Sequence, residues 1–530
     1  MTSATLLADD AVVQSLARAL GAGNVLADDA SRSFYANDIF WQPGIRPLAI
    51  IRPETAGQVA QAVRIATDAG IAVVPRGGGM SYTKGYLPAR EAAIVIDARR
   101  LDRVIEVNAA DRYITAEAGC TWAKLNEALE GTGLRTPYWG PLSGVNATIG
   151  GALSQNSAFF GSALHGTVAD SVLGVSVVLA DGSVVTTGSG GRRGTLPFTR
   201  EGGPDLTGIF LGDNGAFGVK LSATIRLLPQ PASPGYLSFG FPTIQAMGEA
   251  QVEMARARLI AEGFGIDRTK AEHSASVNRI SEGLQILGSV VSSGRSLLGG
   301  VKDAIGVAAA GTSFLKEHAF TLHLVVERDS PAETAAAEAA VTAIALGHGA
   351  TKLDNSVPRV MRARPFGPVR GMLGRDGERW VPIHAVFPLS AARRVLDAND
   401  TFFAGQRETM QRHGIVYSVM TMTTANEFFL EPAFYWMDEI TPLHAASLGE
   451  EVVRPWRDRP ANVAARDAVA VLRRGTQELY ASLGGVSWQV ARDYPYRDLL
   501  APGVRGMLDA IKRALDPRGL MNPGALGFEA

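Results

Sequence analysis

The sequence predicts an α+β chain in two domains, and three observations carry that reading. At 530 residues the chain exceeds what one core holds, because single cores stop growing near roughly 250–300 residues. From residue 48 strand-like and helix-like pieces alternate: LAIIRP, TAGQVAQAVRIATDAG, IAVVPRGGG, AAIVIDARRLDRVIEV. From residue 235 the pieces repeat as strand then helix, which predicts an antiparallel sheet with helices on one face.

Each element has a local reason. The first helix sets Val59, Val63 and Ile65 among alanines and stops at Gly70, so a βαβ unit opens the first domain. The helix TWAKLNEALEGTGL follows, then the glycine- and proline-rich loop YWGPLSGVNATIGGALSQNS. Asp181-Gly182 lies between two β-branched runs, a hairpin signal. The strand VKLSATIRLLPQP ends at Pro229 and Pro231, neither of which can donate to a ladder, so a boundary is placed at 229–235. The first domain is read as 1–230 plus a returning tail, 500–530, whose helix stops at Asp516-Pro517. The second is read as 231–499, with an apolar helical insertion near 280–315.

Composition excludes several classes. Lys plus Arg (51) nearly cancel Asp plus Glu (52), so no global field recruits nucleic acid. The single cysteine, Cys120, rules out a disulfide framework or a cysteine-built metal cage and fits a reducing, cytoplasmic setting. The N-terminus lacks a basic region followed by an apolar run, and no stretch of about 18 uncharged apolar residues occurs. The eight histidines form no His-x-x-x-His pair, so no metal is expected.

The chemistry concentrates in glycine-rich loops. Gly77, Gly78 and Gly79 close the run VVPRGGGMSYTKG and remove every Cβ from a turn, so successive N–H groups can converge on an anion. The spacing is neither the G-x-G-x-x-G of a dinucleotide fold nor a Gly-Lys-Ser/Thr phosphate loop. A second loop, GPLSGVNATIGGALSQN, repeats the theme at Gly150-Gly151. Two such loops in one α/β domain suggest a long ligand with phosphates in its middle.

Five ordered stretches, PRGGGMSY (75–82), ATIGGALSQNS (147–157), ALHGTVADSVLGVSVVLADGS (163–183), LGDNGAFGVKLSATIRLLP (211–229) and ALDPRGLMNPG (514–524), resemble the flavoproteins of the vanillyl-alcohol oxidase and p-cresol methylhydroxylase type. The resemblance covers most of the chain. It implies FAD, with the pyrophosphate on Arg76, Gly77, Gly78, Gly79 and Met80, flanked by Pro75 and Ser81. It carries the dinucleotide past Pro141, Thr148, Ile149, Gly150, Gly151, Ser154, His165, Gly166 and Val172 to Gly218, Val219 and Asn522. It also implies that the first domain and the tail hold the flavin while the middle region caps its reactive face. Isoalloxazine performs hydride abstraction itself, so the protein need only bind, orient and tune it.

Relatives often tether the flavin through a histidine after the first glycines; here that position is Met80. The cysteine of the second loop is also missing, and Tyr435 is the residue that could serve instead. Noncovalent FAD is the preferred reading. On the substrate side, ERWVPIHAVFPLS resembles the segment lining the flavin in phenol-oxidising relatives and puts forward His384, whose type suits proton removal. Tyr82 and Arg492 are the other catalytic candidates, and Trp380, Phe428, Tyr435 and Trp488 the candidate pocket. Trp488-Gln489 stand where such relatives carry a tyrosine–arginine pair for a phenolate.

The expectation is an FAD-dependent oxidoreductase acting on an alcohol or alkylphenol-like, aromatic or apolar substrate. The competing readings are a D-2-hydroxy acid dehydrogenase using Arg364, Arg370 or Arg492 as a carboxylate clamp, and a noncatalytic flavin subunit docking a redox partner. No His-x-Gly-Asp-Gly-Asn-x-His stretch of the metal-assisted hydroxy acid enzymes is present. The expected partners are a small substrate, dioxygen or an electron acceptor protein such as a cytochrome, and a second copy of the chain, with a membrane or partner contact through 284–315.

Overall fold

The computed structural model describes residues 3–275, 318–367 and 369–530. The apolar insertion expected at 280–315 lies outside the described residues, as does the side chain of Arg370. The chain divides into two compact units: residues 1–157, 167–229 and 488–530, and residues 158–166 and 230–487. Two short stretches therefore differ from the expected boundaries. Residues 488–499 stay with the first unit because Arg492 N donates to Thr83 O and Leu526 N to Ala491 O. Residues 158–166 go with the second because Ala425 N donates to Ser162 O and the Phe159 ring packs 5.9 Å from that of Phe264.

In the first unit the strands Ala49–Ile51 and Ala72–Arg76 both run parallel to Ala93–Asp97. Sheets of this kind are covered on both faces, which is why these strands read as unbroken apolar runs. Helix Ala56–Asp68, capped by Thr55, buries Val59, Ala62, Val63 and Ala66. The tail adds to the same sheet: Val73 N donates to Leu520 O and Asn522 N to Val73 O. A second, antiparallel sheet orders Val104–Asn108, Tyr113–Glu117, Val219–Arg226, Val172–Val178 and Val184–Thr186. Its last two strands form the Asp181-Gly182 hairpin, with Gly182 at φ +80.

Among the described residues, the second unit is built on an eight-stranded antiparallel sheet. Helices Ile244–Arg256, Pro331–Gly347 and Ala392–Gly405 share one core with Leu237, Phe239, Leu322, Leu324, Phe428 and Leu430. Because side chains alternate along a strand, the intervening residues line the other face.

Candidate functional site

In the first unit the strand Ala72–Arg76 delivers the chain into the glycine turn. A Cβ at Gly78 would stand 1.8 Å from Asn146 O, and one at Gly77 2.2 Å from Thr148 Oγ1. The glycines are thus required by the second loop as well as by any ligand, because the two loops close on each other. Thr148 begins the helix Ile149–Gln155, its Oγ1 accepting from Gly151 N at 3.3 Å. Gly150 is likewise confined, since a Cβ would meet Ala118 Cβ at 2.8 Å.

Behind the turn lies a polar knot. Asn522, at φ +40, donates through Nδ2 to Gly85 O and Asn214 O. Gln155 Nε2 donates to Asn214 Oδ1 at 2.6 Å, and Thr83 Oγ1 to Gln155 Oε1 at 3.3 Å. Arg492 donates from Nη2 to Leu87 O and, at 3.0 Å, to Asn522 Oδ1. Burial lowers its guanidinium to about 10. Lys220 pairs with Asp213 and donates to Ser154 Oγ at 2.9 Å.

In the second unit the register draws a row across the face away from the helices: His323 opposite Phe264, Phe264 opposite Met422, Met422 opposite Phe429. His384 stacks on Phe429, centroids 5.4 Å apart. A cavity of about 20 Å³ opens among Phe159, Phe264, His323, Met361 and Met422. One step along the strands, Glu431 lies opposite Met420. This carboxyl is half-buried, and burial raises it to about 7, Lys270 acting against the shift. Four residues further, Tyr435 pairs with Trp380, and Lys270 Nζ lies 4.9 Å above the Trp380 ring. Asp267, whose Oδ1 accepts from Lys270 N at 2.9 Å, is also raised to about 7 by burial.

Comparison with known proteins identifies the cofactor of the chain that carries these glycine loops. Residues 47–188 match the family model described as FAD binding domain, and residues 499–526 match that of FAD linked oxidases, C-terminal domain. The chain carries an FAD binding domain and a match to the C-terminal domain of FAD linked oxidases. FAD is the cofactor of this flavoprotein. Its curated relatives include "Glycolate oxidase subunit GlcD" of Bacillus subtilis, 27% identical over 249 residues, 47% of this chain and 51% of that one. "D-lactate dehydrogenase [cytochrome] 1, mitochondrial" of Saccharomyces cerevisiae is 29% identical over 244 residues, 44% and 40% of the two chains. The chain spans about half the length of the curated relatives it matches. A crystal structure of p-cresol methylhydroxylase with substrate bound superposes with a TM-score of 0.75, covering 100% of this chain and 98% of that one at 16% identity. The fold is therefore that of the p-cresol methylhydroxylase type, as the ordered motifs imply.

The flavoprotein's own residues fit FAD. The turn carries no side chain, and in the same unit Arg76 Nη1, Asn156 Oδ1 and Asn214 Nδ2 are buried without a hydrogen-bond partner. Such atoms call for polar company. Residues 75–81, 141, 148–151, 154, 172, 218, 219 and 522 all lie in the first unit, whereas His165 and Gly166 lie in the second. Gly218 and Val219 open the strand Val219–Arg226, where a Cβ at Gly218 would meet Val177 Cγ1 at 2.4 Å.

The substrate-side candidates separate. Tyr82, Arg492 and Trp488 belong to the first unit, and His384, Trp380, Tyr435 and Phe428 to the second. Phe428 is fully buried in the helix-side core, so the strand's alternation removes it from the face that Trp380 and Tyr435 share and puts Phe429 there instead. Arg492 is engaged with Leu87 O and Asn522 in the knot behind the turn. His384 is held neutral, pushed down to about 3 by burial and by Arg473. Glu431, Asp267 and Lys270 were not singled out by sequence reasoning. A signal for Glu431 was present: it is the one charged residue inside the run FFLEPAFYW.

Proposed function

We propose that this flavoprotein oxidises an alcohol or alkylphenol-like substrate with an apolar or aromatic body, the first unit holding FAD and the second supplying the substrate face. The observation that carries the reading is the placement of Glu431, a carboxyl that burial raises to about 7, one step from the His323–Phe264–Met422–Phe429 row. FAD, when bound, supplies the hydride acceptor. The row would take the apolar body, and Glu431 would receive the substrate's hydroxyl proton, since a general base works best with a pKa near the working pH. His384 would orient rather than carry the proton, because its imidazolium is too costly at that depth. Tyr435 would offer its hydroxyl to the same face.

The names of the sequence relatives favour a second reading, oxidation of a 2-hydroxy acid. Against it, the cap's buried guanidiniums have other duties. Arg362 bridges Glu262 and Glu327, Arg473 donates to Pro382 O, and Arg379 lies 3.8 Å from Asp438. Anaerobic flavin bleaching separates the two. Bleaching by aromatic alcohols or alkylphenols, and not by glycolate or D-lactate, is expected; the reverse pattern would overturn the first reading. The partner acceptor, cytochrome or dioxygen, is read in the same experiment by which of them restores the flavin absorbance.

A further inference from the structure

We infer that the loop 187–207 of the first unit is a lipid-contact surface that seats the protein on an anionic membrane face. The loop leaves the hairpin strand Val184–Thr186 and gives three large apolar side chains to solvent: Leu196 is 55% exposed, Phe198 55% and Leu206 56%. One such residue alone is ordinary on a surface; three in one loop mark a contact site. Their exposure is not slackness in the chain. Ser189 N donates to Thr199 O at 2.8 Å, while Ser189 Oγ donates to Leu196 O at 2.6 Å and accepts from Thr199 N at 3.2 Å. Arg200 donates from Nε to Asp205 at 3.0 Å and from Nη1 to Ala169 O at 2.7 Å, and Thr207 Oγ1 donates to Thr187 Oγ1 at 2.8 Å. The backbone around Leu196 and Phe198 is thus pinned while their side chains stand in water. Around the loop there is open space: a Cβ on Gly194, Gly202 or Gly203 would meet nothing within 4 Å.

Charge names the occupant. Arg192 and Arg193 are exposed beside the apolar pair and form no ion pair among the described residues. Residues Thr187 to Thr199 carry no acid, and of the two acids that follow, Glu201 and Asp205, the second is held by Arg200. Two guanidiniums next to a protruding Leu and Phe match a bilayer with anionic headgroups: the apolar tips enter the acyl boundary and the guanidiniums take the lipid phosphates. Three half-exposed side chains fall short of the roughly 800 Å² per partner that a specific protein–protein interface buries. A second copy related by a two-fold axis would also set its own Arg192 and Arg193 against this pair. Neither the flavin nor the proposed substrate enters this surface, so lipid binding and the bleaching panel fail independently.

The test uses the full-length holoprotein with vesicles of phosphatidylcholine alone or mixed equally with phosphatidylglycerol, read by co-sedimentation at low and high salt. The wild type should bind the mixed vesicles about tenfold or more tightly than phosphatidylcholine, and salt should weaken that binding. Leu196→Ser with Phe198→Ser should lower it about tenfold. Arg192→Gln with Arg193→Gln should remove the preference for mixed vesicles and the response to salt. Flavin content should stay unchanged in both, because all four side chains are exposed. Cys120 is the one cysteine and is buried, so Thr195→Cys carries an environment-sensitive dye on the loop alone, and its emission should shift to the blue on mixed vesicles. No binding by the wild type, binding that both pairs of substitutions leave unchanged, or binding without the dye shift would overturn the inference. A fall in the mass of the free protein when Leu196 and Phe198 are replaced would give the face to a second copy and overturn it as well.

Discussion

The glycine turn of the first unit and the sheet face of the second that lies away from its helices are built on different principles. At residues 77–79 the identity of each residue is dictated by backbone: a Cβ at Gly78 would enter Asn146 O, whatever the side chain beyond it. On the cap sheet function is set by which side of the pleat a residue falls on. Backbone-dictated sites are rigid in sequence. Face-dictated sites can change their chemistry by substitution without changing the fold, which fits relatives of one flavin-binding architecture carrying names that refer to different substrates.

The sharpest test of the face principle is a neighbouring pair. Phe428→Ala should cost about 4 kcal/mol of stability, because a fully buried ring leaves a cavity against Leu396 and Gly248. Phe429→Ala should cost clearly less and instead raise KM for the apolar substrate, since its ring stacks on His384 on the opposite face. Denaturant unfolding and steady-state kinetics on both variants check this; equal stability losses would break the distinction.

The backbone principle is tested at the turn. Gly78→Ala should cost about 3 kcal/mol, because the added methyl meets backbone on the other loop that cannot rotate away. Gly57→Ala, on an exposed helix position with only Thr55 Oγ1 at 3.9 Å, should instead stabilise by about 0.5–1 kcal/mol. Flavin content and melting temperature of the purified variants read both outcomes.

These two principles also explain what was legible in the sequence. The βαβ opening, the hairpin at Asp181-Gly182 and the loops at 77–79 and 150–151 are written in residues with few alternatives, so pattern alone finds them. Cap candidates were harder because period 2 must be phased. NEFFLEPAFYWMD contains two adjacent phenylalanines, and nothing local says which faces the helices; the register against Val416–Thr424 does. Lys270 and Asp267 were out of reach altogether, since only the pairing of Glu262–Asp267 with Val416–Thr424 brings their strand end toward Tyr435. Residues 488–499 misled in a different way. Their hydrogen bonds go to Thr83 and the tail, contacts of such long sequence separation that no linker signal marks the boundary.

At the next magnitude down, Glu431→Gln should lower kcat about a hundredfold, about 2.7 kcal/mol of barrier, while leaving flavin binding intact. The wild-type rate should rise with pH through about 7, where Glu431 ionises and becomes able to accept a proton, and the variant should lose that limb. Stopped-flow reduction from about pH 5.5 to about pH 9 measures it. A variant retaining the same pH limb would assign the proton to another group.

The smallest effect compares buried acids in the two units. Asp38 is fully buried, and burial raises it to about 6 although Phe40 N and Lys84 N donate to it at 2.8 Å. Asp267 in the cap is raised to about 7. Both folded values exceed the ordinary carboxyl value of 3.8, so the fold binds these protons more tightly than the unfolded chain does. Each contribution is complete below the ordinary value and fades as pH rises through the folded one, near 6 for Asp38 and near 7 for Asp267. From pH 5 to pH 8 the Asp38 share of the loss amounts to about 1.4 kcal/mol. Asp38→Asn removes it, so the difference in unfolding free energy between wild type and variant should fall as pH rises above the ordinary carboxyl value and level off near 6, and for Asp267→Asn level off near 7. Urea unfolding at stepped pH resolves the pair, and levelling off at the same pH would mean that both acids see the same environment despite belonging to differently built units.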